Sequence, residues 1–351
     1  MSKIKIGITL GDINGIGPEI IIKSLSNKEL LDHFTPIIYG SSKVIAYHKN
    51  IVTESSFQFS TVAGPERAFN GKVNVINCWD ENVNITLGKA SEEGGKFAHL
   101  SLEKAVFDLK SGLIDAVVTA PINKKAMKMS GFRHTGHTEY ITEEVGGNGL
   151  MMMCSELMKV ALVSNHLPLS DAAGIITKEN VSSKLKVFHD SLQQDFGIEK
   201  PIIAVLGLNP HAGDEGTIGN EEIEVIRPVI IEAKKSGMLV MGPYPADGFF
   251  GSSQFTRVDG ILAMYHDQGL IPFKALSFGK GINFTAGLSV IRTSPDHGTA
   301  FDIVGKNEAD PGSFREALYA AKDIVFNRKQ YEEDRANSLL KKPKPSEELS
   351  E

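Results

Sequence analysis

The chain has two cysteines and one tryptophan among 351 residues, and aromatic residues make up only 7%. Cys78 and Cys154 lie far apart and in no CxxC pattern, which excludes a disulfide framework and a thiolate zinc site as organising features. Cys154 falls in the apolar run MMMCSELM and reads as a buried small hydrophobe rather than a nucleophile. Excess charge of one sign is also missing. The formal net charge is −6 and Lys and Arg are scattered, so neither nucleic acid nor an anionic membrane is expected as a partner. No apolar run is long enough to span a bilayer, and MSKIKIGITL passes straight into strand-like alternation without signal-peptide architecture. The expectation is a cytoplasmic protein that handles a small molecule.

What is present is ordinary globular material, 41% hydrophobic and 23% charged, enough for a substantial core. At roughly 150 residues per domain the length predicts two domains with room for a cleft between them. Short apolar runs at 4–10, 37–39, 116–119, 160–163, 202–208 and 261–265 alternate with helix-like stretches, which predicts an α/β fold of parallel βαβ units. Residues 91–110 keep helical spacing through Phe97, Leu100, Leu102, Ala105, Val106 and Leu109 until Gly112. From Tyr331 onward dense charge and two prolines predict a solvated, frayed tail.

After the first strand comes Gly11-Asp12-Ile13-Asn14-Gly15-Ile16-Gly17-Pro18-Glu19, with Pro18 and Glu19 suited to the first turn of a helix. It fails as a dinucleotide fingerprint because Ile20 occupies the third glycine position, and no P-loop lysine follows. Two readings stay open: a tight strand-to-helix turn, or a loop lining the cleft.

Three apolar runs each deliver a histidine at or just past their ends: His166, His211 and His266. In parallel sheets ligands bind beyond the carboxyl ends of strands, so these imidazoles are expected to converge on one divalent metal, with positions left open for substrate. Asp267 reads either as a carboxylate orienting His266 or as a solvated side chain. His33, His48, His99 and His189 read as surface residues. His137-Thr138-Glu139 opens a helix, and Thr138 reads either as its cap or as part of an anion site. Further on, Lys274, Asn283 and Arg292 lie among glycines and apolar residues. The two cations need anionic partners, supplied by a substrate carrying two anions or by the protein's own carboxylates.

At these residues the sequence resembles the 4-hydroxythreonine-4-phosphate dehydrogenase family of vitamin B6 biosynthesis, up to about Asn327. The resemblance rests on TGHTE at 135–139, NHLPL at 165–169, GLNPHAG at 207–213, AMYHDQGL at 263–270 and RTSPDHGTA at 292–300. It implies that His166, His211 and His266 are the metal ligands and the route of catalysis. His137, Thr138, Lys274, Asn283 and Arg292 would then contact the phosphorylated substrate. It also implies NAD or NADP as cofactor, one zinc, magnesium or cobalt ion per site, and a homodimer with sites at the subunit interface. The implied fold is similar to the isocitrate and isopropylmalate dehydrogenases: a largely parallel sheet, with one domain of residues 1–128 and 285–330. Residues 129–284 would carry the metal, substrate and dimer contacts, and 331–351 a flexible tail. No residue is assigned to the cofactor.

The family usually has Pro-Ala where this chain has Ile13-Asn14. The implied reaction oxidises 4-phosphooxy-L-threonine at C3, the metal lowering the hydroxyl pKa, and the resulting 3-oxo acid loses carbon dioxide. Relatives acting on 4-phospho-D-erythronate or phosphothreonate give the runner-up, and a metal-dependent phosphate-ester hydrolase or binding protein is the reading from another class. Asp247 reads as an assistant base or as an ordinary loop aspartate.

Overall fold

In the computed structural model, which describes residues 3–53 and 55–336, the apolar runs assemble into one 12-stranded sheet. In chain order the strands are β1 (Ile4–Thr9), β2 (Phe34–Gly40), β3 (Ser60–Thr61), β4 (Asn74–Asn77), β5 (Ala116–Thr119) and β6 (Leu150–Cys154). They continue with β7 (Lys159–Leu162), β8 (Ile202–Leu206), β9 (Leu239–Tyr244), β10 (Gly260–Ala263), β11 (Ile282–Ala286) and β12 (Arg292–Pro295). Across the sheet the order is β3-β4-β2-β1-β5-β12-β11-β6-β7-β10-β8-β9. The α/β class and the largely parallel sheet are as expected, and each of the apolar runs read as a strand is one.

The parallel expectation fails at the centre. β6 pairs antiparallel with both β7 and β11, and β11 pairs antiparallel with β12. The links explain this: a turn closed by Ser155 N–H donating to Met158 O joins β6 to β7, and residues 287–291 join β11 to β12. Such connections are too short for the crossover that parallel neighbours require. Three successive reversals set the two parallel flanks running in opposite directions. β7, β8 and β10 nevertheless share one direction, so the segments carrying His166, His211 and His266 leave the sheet at the same edge.

The helix Glu92–Lys110 is capped by Ser91, whose hydroxyl accepts from Gly94 N–H at 3.0 Å. The helix Gly312–Ala336 buries Phe314, Leu318 and Ile324 in a core shared with Ile6 and Val118 of one flank and Ile203 and Phe284 of the other. Its length corrects the expected tail, because residues 331–336 are helical. Turn-to-turn pairs carry it past Tyr331: Gln330 Nε2 donates to Asp334 Oδ1 at 2.9 Å, and the Arg335 guanidinium lies 4.4 Å from the Tyr331 ring centroid. The rest of the expected tail, 337–351, lies outside the described residues.

The glycine-rich entry is a turn, and it does not line the cleft. Residues 11–20 are all buried. Gly11 has φ +69°, and a Cβ there would stand 2.4 Å from Pro121 O, so only glycine fits. Asn14 ties the turn to its surroundings: its Nδ2 donates to Ser91 Oγ at 2.9 Å and its Oδ1 accepts from Thr86 N–H at 2.7 Å. Glu19 is buried against Lys23 at 2.8 Å. His48, expected at the surface, is buried here with Nε2 2.9 Å from Ile13 O. His99 and His189 are half-buried, and only His33 of that group is exposed.

Candidate active site

The reversed strands at the centre of the sheet present alternate residues to a cleft of about 410 Å³. Asn283 of β11 stands beside Ser294 of β12 on one side and Met153 of β6 on the other, with Arg292 and Met151 two residues away on the same face. One wall is the start of the helix His137–Val145, bringing His137, Thr138 and Glu139. The opposite wall is the helix His266–Ser277, where His266, Leu270 and Lys274 recur every four residues and so point the same way. His166 enters from the loop after β7, and Lys124 from the start of the helix Lys124–Met129. Of the residues expected in the site, all but His211 line this cleft.

Arg292 is 4% exposed, and no carboxylate among the described residues pairs with it. Its Nε and Nη2 donate to Thr119 Oγ1 at 3.1 and 2.9 Å, and Nη1 donates to Thr285 Oγ1 at 3.3 Å and Asn283 Oδ1 at 3.4 Å. Burial pushes its pKa down to about 10, opposed by the Glu139 charge. A guanidinium braced by neutral acceptors and lacking a counter-ion is built to receive an anion. Burial, and then the Arg292 charge, hold the His137 imidazole well below its ordinary range and hence neutral. Its Nδ1 faces Arg292 Nη2 at 3.5 Å, which places the ring proton on Nε2. That nitrogen is buried without a hydrogen-bond partner among the described residues, a free donor for the same anion. Lys274 Nζ donates to the main-chain oxygen of Asp296 at 3.2 Å, and among the described residues it too has no carboxylate partner. Thr138 is not the cap, because Gly136 holds that position and the helix begins at His137.

The His166 and His266 rings stand 5.6 Å apart, centroid to centroid. Asp267 Oδ1 lies 2.7 Å from His266 Nδ1, leaving Nε2 of that ring free to ligate. Burial, with Lys124 adding to it, lowers the His166 pKa and favours the neutral imidazole a metal needs. Two nitrogen donors with an orienting carboxylate fit one side of a divalent-ion site. Among the described residues, however, no group of three or more His, Cys, Asp or Glu side chains stands close enough to hold a metal. His211 lies apart, exposed on a run in which His211, Ala212, Asp214 and Glu215 all have positive φ. The buried carboxylate of Glu222 anchors the residues just before it, accepting from Leu208 N–H and Asn209 N–H at 2.7 Å each. Left-handed backbone costs non-glycine residues about 1–2 kcal/mol each, so this loop holds His211 outward against a strain.

Asp247 is exposed in the helix Ala246–Gly251 and does not line the cleft. Sequence reasoning missed Thr119, Lys124, Glu139 and Asp296. Glu139 and Asp296 sit inside the TGHTE and RTSPDHGTA motifs, and Thr119 ends the apolar run 116–119.

The family model described as pyridoxal phosphate biosynthetic protein PdxA matches residues 32–321. A 4-hydroxythreonine-4-phosphate dehydrogenase of Bacteroides thetaiotaomicron is 50% identical over 342 residues, covering 97% of this chain and 94% of its own length. A relative from Oceanobacillus iheyensis, provisionally named D-threonate 4-phosphate dehydrogenase, is 40% identical over 91% of this chain and 97% of its own. The crystal structure of a 4-hydroxythreonine-4-phosphate dehydrogenase from Klebsiella pneumoniae aligns with a TM-score of 0.80 at 32% identity, covering 93% of this chain and 98% of that one.

Proposed function

Because the chain belongs to the PdxA family of pyridoxal phosphate biosynthesis, whose relatives are named 4-hydroxythreonine-4-phosphate dehydrogenases, we propose that its cleft oxidises 4-phosphooxy-L-threonine at C3 with NAD or NADP and a divalent metal. The product, 2-amino-3-oxo-4-(phosphooxy)butanoate, then loses carbon dioxide to give 3-amino-2-oxopropyl phosphate. The observation that carries this reading is the buried, unpaired Arg292 beside neutral His137, in the same cleft as the His166–His266 pair.

The phosphate docks on Arg292 and on the Nε2 proton of His137, with Asn283 and Thr138 beside them and Lys274 from the facing helix. Because these groups are already braced, little reorganisation accompanies binding. His166 and His266 would hold the metal, and His211 of a second copy of the chain would be the third ligand, which would make the working unit a homodimer with sites at its interface. When bound, the metal supplies Lewis acidity that lowers the pKa of the C3 hydroxyl. A nicotinamide cofactor, when bound, would supply the hydride acceptor. Met151, Met153 and Leu270 form an apolar floor that excludes water from the reacting carbons. The setting in this reading is the cytoplasm, where the free thiols of Cys78 and Cys154 remain reduced.

The name of the Oceanobacillus relative favours D-threonate 4-phosphate as the second reading. Nicotinamide reduction compared on 4-phosphooxy-L-threonine, D-threonate 4-phosphate and 4-phospho-D-erythronate decides between them. Faster turnover of either sugar acid would replace the first reading. Chelation is expected to abolish turnover and re-addition of zinc, cobalt or magnesium to restore it; full activity of the metal-free protein would remove the metal from the scheme.

A further inference from the structure

Arg292 and Lys274 are assigned to the phosphate, yet the cleft contains a third cation. Lys124 lines it and makes no hydrogen bond or ion pair with any described residue. Its base is fixed. Asn123 Oδ1 accepts from Ala126 N–H at 3.0 Å, and Ala126 is fully buried against the backbone of Gly95. A cation in the first turn of a helix gains nothing from the helix itself, whose amino-terminal end favours negative charge. With Arg292, His137 and Lys274 serving the phosphate, Lys124 is the cation of the same cleft left for a second anion.

The substrate's connectivity gives that position a meaning. Phosphate, C4, the C3 hydroxyl, the C2 amine and the carboxylate follow in order. With phosphate at Arg292 and the hydroxyl and amine at the His166–His266 pair, the carboxylate projects beyond the imidazoles. We propose that Lys124 binds the substrate carboxylate and sets the enzyme's preference for an acid over its uncharged counterpart. This rests on the reading of the cleft as a 4-phosphooxy-L-threonine site. Lys124 would hold the carboxylate until oxidation at C3 is complete, keeping the bond to be broken in one orientation.

The test compares 4-phosphooxy-L-threonine with its C1 amide, using wild-type holoenzyme, Lys124→Met and Lys124→Arg. Inorganic phosphate is titrated calorimetrically as a reference for the other end of the cleft. The wild type is expected to favour the acid. Lys124→Met should weaken acid binding roughly 10- to 100-fold, the range for losing a hydrogen bond to a charged group, while amide and phosphate binding stay unchanged. Lys124→Arg should recover part of the preference. A wild type that does not distinguish acid from amide overturns the proposal, whatever the variants do. So does an equal loss for acid, amide and phosphate, which would put Lys124 on the phosphate. A wild type that neither binds nor oxidises the phosphorylated acid, while still binding phosphate, defeats the underlying reading instead.

Discussion

At Arg292 the deciding quantity is the cost of burying a charge. Paired with no carboxylate among the described residues, this buried guanidinium is braced by five hydrogen bonds to neutral groups, and in the proposed function a substrate anion completes it. Lysine cannot reproduce that fork, so Arg292→Lys is expected to lower kcat/KM on the phosphorylated substrate about 10- to 100-fold and to weaken phosphate binding in parallel. An unchanged phosphate affinity by calorimetry would dissociate Arg292 from the anion. His48 and Asp12 test the entry turn through pH. Burial lowers His48 from 6.5 to about 4, so its contribution to stability is complete above 6.5 and is lost as pH falls towards 4. Burial raises Asp12 from 3.8 to about 6, so its contribution is complete below 3.8 and is lost as pH rises towards 6. The two oppose each other between about 4 and 6. In denaturant titrations His48→Gln should gain roughly 3 kcal/mol relative to wild type on going from pH 7 to pH 4. A constant difference across that range would show that His48 is not buried neutral. None of this was readable in the sequence, where His48 sits in polar surroundings and only the backbone oxygen of Ile13, a distant partner, gives it a place inside.

At the scale of elements, legibility followed periodicity. The Glu92–Lys110 helix was plain because its apolar spacing and its Ser91 cap agree, and β1, β5 and β8 were plain because each is a short apolar run between turn signals. β11 and β12 escaped because they are not continuous apolar runs: Asn283, Arg292 and Ser294 are polar residues that line the cleft, and Thr285 braces Arg292. The glycine pair in the Glu92–Lys110 helix was also opaque, since helix propensity alone prefers alanine by about 1 kcal/mol. The packing gives the reason. A Cβ on Gly95 would stand 2.0 Å from Ala126 O and 2.9 Å from Met127 N, a backbone contact that no rotamer relieves. Gly95→Ala is therefore expected to destabilise by about 1–3 kcal/mol despite its propensity gain. It should also raise KM by displacing the helix that begins at Lys124. Chemical denaturation with steady-state kinetics checks both, and a stabilised variant would show that the two helices do not meet.

For the molecule as a whole, the sequence made the chemistry more legible than its assembly. Strand-end position marked His166, His211 and His266 alike, because β7, β8 and β10 are parallel and finish at one edge. Position along an edge says nothing about lateral distance, and the fold brings only His166 and His266 to one cleft. His211 is instead held outward on a left-handed run that the chain stabilises through buried Glu222. Strain of that kind persists where the surrounding structure holds it, and it clusters at active sites and ligand clamps. In the proposed scheme a second copy is the source of the third ligand, because a two-fold dimer would supply the same residue to both sites at once. The arrangement makes a specific demand on mixed dimers. Pairing a His166→Ala chain with a His211→Ala chain leaves one site with both lesions. The other site then keeps its own His166 and His266 and receives an intact His211 from the first chain. Subunit exchange between the two inactive homodimers should therefore restore activity to about a quarter of wild type, since half of a statistical mixture is heterodimeric and each heterodimer has one whole site. If all three ligands come from the same chain, every site in the mixture lacks one of them. Verified heterodimers without activity would then place His211 in the pocket of its own chain.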